Sequence, residues 1–211
     1  MSSSISQWSP ANQERAQAIL ESYPEPRSAI MPLLYLASIE HGCVSDEAMR
    51  EVGDVVGITA AQVQSVASFY TMYKREEAGN YLISVCTSIS CHLLDADDVL
   101  AAVTSAADEA DSADADFFIS VERAECIGAC GGAPAVQVIY ETVEGLTSEK
   151  ATALVEWLAG SQPEVVLADE MQQLYVGQRS FEWGPSAHAG RVTAVRGFVP
   201  RGSARAGGGR C

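Results

Sequence analysis

Apolar residues recur along this chain with two different periods, and the change between them divides it. Through residues 9–75 the spacing is helical. Ile30, Leu33, Leu34 and Ala37 fall at i, i+3, i+4 and i+7, one face of a helix. Ser9-Pro10 places a capping hydroxyl ahead of a proline at the first helical position. Ser45 precedes Asp46 and Glu47, a cap followed by acids that complement the helix dipole. Thr59-Ala-Ala-Gln62 has the form of a capping box, and Val63, Val66, Ala67 and Tyr70 continue it as an apolar stripe. Four short helices in so little chain predict a small bundle, of a size that often needs another surface to pack against.

Between residues 80 and 160 the period shortens. Tyr81-Leu-Ile-Ser-Val-Cys86 reads as a strand that delivers Cys86 at its end. Residues 93–107 return to helical spacing, with Ala96, Val99, Leu100 and Val103 on one face. Strands are predicted over 116–121 and 135–140, a short edge strand over 141–146, and a last helix from a Thr147 cap through Leu158. The order β-α-β-β-(β)-α predicts an α+β or α/β domain of thioredoxin-like form, with helices packed on a small mixed sheet. Residues 161–211 lose periodicity and are broken by Gly177, Gly184, Pro185, Gly190, Gly197, Pro200 and the run at Gly207 to Gly209. They read as an extended tail, either disordered or docking on a partner. Tyr175, Phe181, Trp183 and Phe198 are large apolar anchors that a pure linker would not need.

Chemistry enters with four cysteines. Cys86-Thr-Ser-Ile-Ser-Cys91 and Cys126-Ile-Gly-Ala-Cys130 are separated by 34 residues, and each pair follows a predicted strand. Structural zinc usually takes tighter knuckles near C-x2-C. Disulfides need an oxidising compartment, and the first eight residues do not read as a secretory leader. A Rieske centre needs two histidines, whereas the chain has three in all and only His92 adjoins a cysteine loop. Four thiolates on two short loops, the second of them glycine-containing, therefore predict one all-cysteine [2Fe–2S] cluster and an electron carrier. Cys43 reads as a small buried hydrophobe and Cys211 as an exposed terminal thiol.

The formal net charge of −15 argues against nucleic-acid binding. Five arginines and no acid lie in residues 191–211, so the remainder is more acidic still. No apolar run approaches the roughly 20 residues that span a bilayer, so a soluble protein is expected. There is no G-x-G-x-x-G and no P-loop to hold a nucleotide.

Several segments resemble one known family, the 24-kDa-type [2Fe–2S] subunit of respiratory complex I, NADH:quinone oxidoreductase. They are Tyr23-Pro-Glu-Pro-Arg-Ser-Ala29, Val66-Ala-Ser-Phe-Tyr-Thr-Met-Tyr73, Val85-Cys-Thr-Ser-Ile-Ser-Cys91 and Glu125-Cys-Ile-Gly-Ala-Cys130 with Ala133-Pro134. The resemblance covers roughly residues 10–160. It implies a helical bundle (9–75), a thioredoxin-like ferredoxin domain (80–160) and Cys86, Cys91, Cys126 and Cys130 as the iron ligands. It also implies that FMN and NADH sit on a partner subunit, that an adjacent iron–sulfur subunit is a further partner, and that this chain has no complete active site alone. The expected place is cytoplasmic, in the peripheral arm of a complex at the inner face of the cell membrane. The equivalent subunit of an NAD-linked hydrogenase or formate dehydrogenase, and a free-standing ferredoxin, remain alternatives.

The chain departs from the family pattern at eight acids in residues 95–116, read as an altered surface loop, and at Gly131-Gly132. An acidic body disfavours the charge added on reduction, and backbone N–H groups and hydroxyls aimed at sulfur favour it; the hydroxyls of Thr87, Ser88 and Ser90 either donate to sulfur or simply face water. Gly128, Gly131 and Gly132 are expected to allow positive φ or close backbone approach. His92 reads as a surface or capping residue. If the tail orders against a partner, hydrogen exchange protection of residues 175–200 rises on assembly, and equal protection in the isolated chain and the complex would refute it.

Overall fold

The computed structural model describes residues 5–76, 78–113, 117–139, 141–164 and 166. Two compact units meet in sequence between Ala78 and Gly79. The tail from residue 167, with its aromatic anchors, its arginines and Cys211, lies outside the described residues.

The first unit is helical. Helices α1 (Pro10–Glu21), α2 (Ile30–His41), α3 (Asp46–Val56) and α4 (Ala60–Phe69) follow one another, with a 3₁₀ turn at Pro26–Ala29 before α2. Ile30, Leu33, Leu34 and Ala37 are all buried, as their spacing predicts, alongside Trp8, Val44, Val52 and Val63. Ser45 accepts from the Ala48 N–H at 3.1 Å, and the Thr59–Gln62 capping box is formed from both sides. Tyr70 falls just past the end of α4 and is exposed, so the α4 stripe is narrower than expected. A polar cluster crosses this core: Trp8 Nε1 donates to Glu51 Oε2 at 2.8 Å, and His41 Nε2 lies 2.6 Å from the same oxygen. Cys43 is buried.

One cap departs from expectation. Ser9 is the N-cap of α1 and Pro10 its first residue, but the Ser9 hydroxyl accepts nothing from the helix. It donates instead to Glu40 Oε1 at 2.5 Å, as do the Ser9 N–H at 3.0 Å and Asn12 Nδ2 at 2.7 Å. A carboxylate on α2 thus gathers the donors at the start of α1, where negative charge also suits the helix dipole.

The second unit is a four-stranded sheet backed by two helices. Its elements are β1 (Tyr81–Cys86), α5 (Ile89–His92), α6 (Ala96–Ala113), β2 (Ile119–Ala124), β3 (Ala135–Val138), β4 (Glu141–Glu144) and α7 (Ser148–Ser161). The strand order is β2-β1-β3-β4, with β1 and β2 parallel and the other neighbours antiparallel. A parallel pair needs a long crossover, and α5 with α6 supplies it. Tyr81, Ile83 and Val85 alternate inward from β1 to meet Val99 and Val103 of α6 and Leu154, Val155 and Leu158 of α7. Thr147 caps α7 as expected, accepting from the Lys150 N–H at 3.4 Å.

Three boundaries move. The second strand begins at Ile119 rather than 116, because Phe117 is buried against Tyr81 and the Phe118 N–H is held by Asn80 Oδ1 at 3.0 Å. The third strand ends at Val138, where Ile139 turns with φ 48°. The helix predicted over 93–107, with Asp97 and Asp98 in its first turn, runs on through Asp108, Glu109 and Asp111 of the segment read as a surface loop, because its outer face is polar and its inner face apolar. Among the described residues no helix is long and apolar enough to cross a membrane.

If Glu40 is the true cap of α1, Glu40→Ala lowers stability by about 1–2 kcal/mol, read by urea denaturation. Ser9→Ala, keeping the carboxylate, costs clearly less; the reverse ranking would restore the conventional cap.

Candidate metal centre

The parallel register aligns Cys86, the last residue of β1, with Ala124, the last residue of β2. The Thr87 N–H continues the ladder by donating to the Ala124 carbonyl at 2.9 Å. Cys126 comes two residues later, so the two cysteine loops leave neighbouring strands at one end of the sheet. Cys91 is carried by α5, a single helical turn, and Cys130 by a 3₁₀ turn at Cys130–Gly132.

The structure brings the four sulfurs into one neighbourhood. Cys86 is within hydrogen-bonding reach of the Cys91 and Cys126 thiols, and Cys130 is close enough to Cys91 to act on it electrostatically. All four are free of disulfides. Cys86 and Cys91 are 3% and 1% exposed and pack with Ala96, Ala135, Ile127, Ala129 and Ala133, whereas Cys126 and Cys130 are exposed.

Backbone groups decide the electrostatics. Burial alone would raise the Cys86 thiol, but N–H donors from Ile127 and Ser88, with the Cys91 and Cys126 side chains, outweigh it and hold it below its ordinary value. Burial pushes Cys91 up to about 11, with the Cys86 and Cys130 thiols adding and the Ala135 N–H opposing. Of the two kinds of donor that the sequence left open, the backbone N–H groups are the ones directed at Cys86 and Cys91. The Thr87 hydroxyl goes to the Ala124 carbonyl at 3.4 Å. Side-chain identity carries no signal for such donors, which is why Ile127 and Ala135 were not foreseeable.

The glycines separate by role. Gly128 has φ 88°, a conformation side chains disfavour. Gly132 is where the backbone passes close: a Cβ there would fall 2.6 Å from the Glu144 Cβ, and the Gly132 carbonyl accepts from the Gly145 N–H at 2.6 Å. Gly131 shows neither feature, having open space and no positive φ. The same Gly145 N–H reaches the Pro134 carbonyl at 2.9 Å, bracing the second cysteine loop against the end of β4. Ala133-Pro134 is cis.

His92 is exposed, as expected. Its Nδ1 lies 2.8 Å from Asp97 Oδ2, while Arg123 donates to Asp97 Oδ1 at 2.8 Å. The Arg123 guanidinium first, and His92 second, hold the Asp97 carboxyl below its usual range. This pairing ties the start of α6 to β2 beside the cysteines.

Among the described residues no three His, Cys, Asp or Glu side chains gather as ligands of a single metal ion. A two-iron core asks for something else, two pairs of thiolates with each iron served by its own pair. The donor set fits that demand: four free thiols in neighbouring pairs, with peptide N–H groups aimed at the buried sulfurs. In Gly132→Ala the new methyl displaces Glu144 or the loop, so this variant takes up less iron than wild type under equal reconstitution, whereas Gly131→Ala does not.

Residues 16–159 match the family described as thioredoxin-like [2Fe-2S] ferredoxin. The E subunit of NADH-quinone oxidoreductase from Mycobacterium tuberculosis is 35% identical over 150 residues, 71% of this chain and 60% of that protein. The chain thus spans about three fifths of the mycobacterial relative's length. A second relative, the E 2 subunit of NADH-quinone oxidoreductase from Rhizobium meliloti, is 31% identical over 144 residues, 68% of this chain and 86% of the relative. Among solved structures, an NAD+-reducing [NiFe]-hydrogenase in its H2-reduced state shares the fold with TM-score 0.52 and 18% identity, over 68% of this chain and 24% of that one. By its matched segment and these relatives, the chain belongs to the thioredoxin-like [2Fe-2S] ferredoxin family.

Proposed function

We propose that this chain is an electron-transfer subunit in which Cys86, Cys91, Cys126 and Cys130 hold one [2Fe–2S] cluster, and that it serves an NADH:quinone oxidoreductase. The observation that carries this reading is the meeting of four free thiols at one end of the sheet, with peptide N–H groups directed at Cys86 and Cys91. When bound, such a cluster supplies reversible one-electron chemistry.

The chain's own residues support that chemistry in distinct ways. The four thiolates bind. The Ile127, Ser88 and Ala135 N–H groups meet negative charge at sulfur without bringing in water. Burial of Cys86 and Cys91 lowers the local dielectric, while the acidic surroundings oppose added negative charge. The electron's other station is FMN on a partner subunit that also binds NADH, with the helical bundle of residues 9–75 and the tail of 161–211 serving assembly. The relatives named as subunits of NADH-quinone oxidoreductase favour this setting.

Anaerobic purification followed by assay of iron, acid-labile sulfide and zinc, with a visible spectrum, tests the cluster. Two irons and two sulfides per chain are expected for a cluster of this type. Cys86→Ser and Cys130→Ser are expected to abolish most of both; normal content in either would overturn the ligand assignment, and zinc without sulfide the function.

A further inference from the structure

Three large aliphatic side chains stand in water beside the buried Cys91. Ile89 and Leu93 are each 74% exposed and Leu94 is 53% exposed. The Leu93 N–H donates to the Ile89 carbonyl at 3.0 Å, so these two lie one helical turn apart on the same face of α5. Leu94 adjoins them at the turn where Asp95 takes φ 64°. A single exposed leucine needs no explanation, but three such side chains within six residues form a patch that folding alone does not call for.

The border of the patch has one sign. Asp95 and Asp98 are exposed beside it, and Glu125 is exposed next to Cys126 at the same end of the sheet. Arg123 is the one lysine or arginine between residues 76 and 149, and Asp97 engages it. An apolar centre with a charged rim is the anatomy of a protein–protein interface, the rim setting orientation and association rate. A second copy of this chain is a poor occupant, because acid would face acid on a molecule of net charge −15.

We propose that Ile89, Leu93 and Leu94 form the docking surface for the electron-exchanging partner, and that the partner offers an apolar seat bordered by arginine and lysine. The inference rests on the function proposed above and names the surface through which it is exercised. Its place follows from the local chain. α5 carries Cys91 on its inner side and the aliphatics on its outer side, so a protein seated there lies against the cysteine end of the sheet. The anchor is held still by the Ser88 carbonyl accepting from the His92 N–H at 2.8 Å and by Asp97 on His92.

The test uses the full chain loaded anaerobically with its cluster, and the flavin-bearing subunit of the same organism. In Ile89→Ser/Leu93→Ser the iron and sulfide content and the thermal midpoint stay at the wild-type level, because both side chains face water. Affinity for the flavin subunit, measured by sedimentation or surface plasmon resonance, falls by at least about tenfold. Asp95→Asn/Asp98→Asn slows association and flattens its dependence on salt. Affinity within roughly twofold of wild type for the aliphatic variant overturns the surface while leaving the proposed function standing. Absence of any binding by the cluster-loaded parent overturns both. A homodimer that the aliphatic substitutions dissolve assigns the patch to a second copy, and loss of the cluster in that variant makes it part of the fold; either result also overturns the proposal.

Discussion

The parallel register that sets Cys86 against Ala124 is the constraint from which the rest of the second unit follows. Parallel strands cannot be joined by a tight turn, so the chain must leave the end of β1, cross one face of the sheet and return. The crossover here begins with a single turn that carries Cys91 and continues as α6, whose inner face contributes Val99, Val103, Ala106 and Ala107 to the hydrophobic core. One length of chain thus both forms the site and closes the fold. A slip of one residue in β1 would turn Cys86 to the opposite face of the sheet and send Tyr81, Ile83 and Val85 away from α6 and α7. The core therefore holds the first sulfur in place.

Much of this was legible in the sequence because the signals were local. Helix stripes, the capping box at Thr59 and the spacing of the cysteine pairs depend on residues a few positions apart, where side-chain identity carries the information. The less legible parts depend on distant partners. Glu40 takes over the cap of α1 from a different helix, and nothing near Ser9 announces it. β2 starts late because Phe117 is drawn into the core against Tyr81. The donors to sulfur are peptide groups, identical in every residue but proline, so only the path of the folded chain selects Ile127, Ser88 and Ala135.

The second cysteine loop shows how backbone geometry substitutes for side-chain chemistry. It is a short stretch that turns at Gly128, tightens at Cys130–Gly132 and passes a cis peptide before β3 begins. Gly145 fastens it through two carbonyls, and Gly132 lets β4 approach. Glycines grouped as one motif in the sequence have three separate circumstances in space: a left-handed turn, a close passage and an open position.

The uneven burial of the four thiols gives the site a front and a back. Cys86 and Cys91 are sealed behind small apolar side chains, whereas Cys126 and Cys130 face solvent. In the cluster-free chain, a peroxide or an alkylating reagent therefore meets the second pair first. If the chain takes up the proposed cluster, the same opening gives iron and sulfide their way to the exposed thiols. Vulnerability to oxidants and openness to incoming iron are then one property of this loop, and shielding it by a bound subunit would end both together.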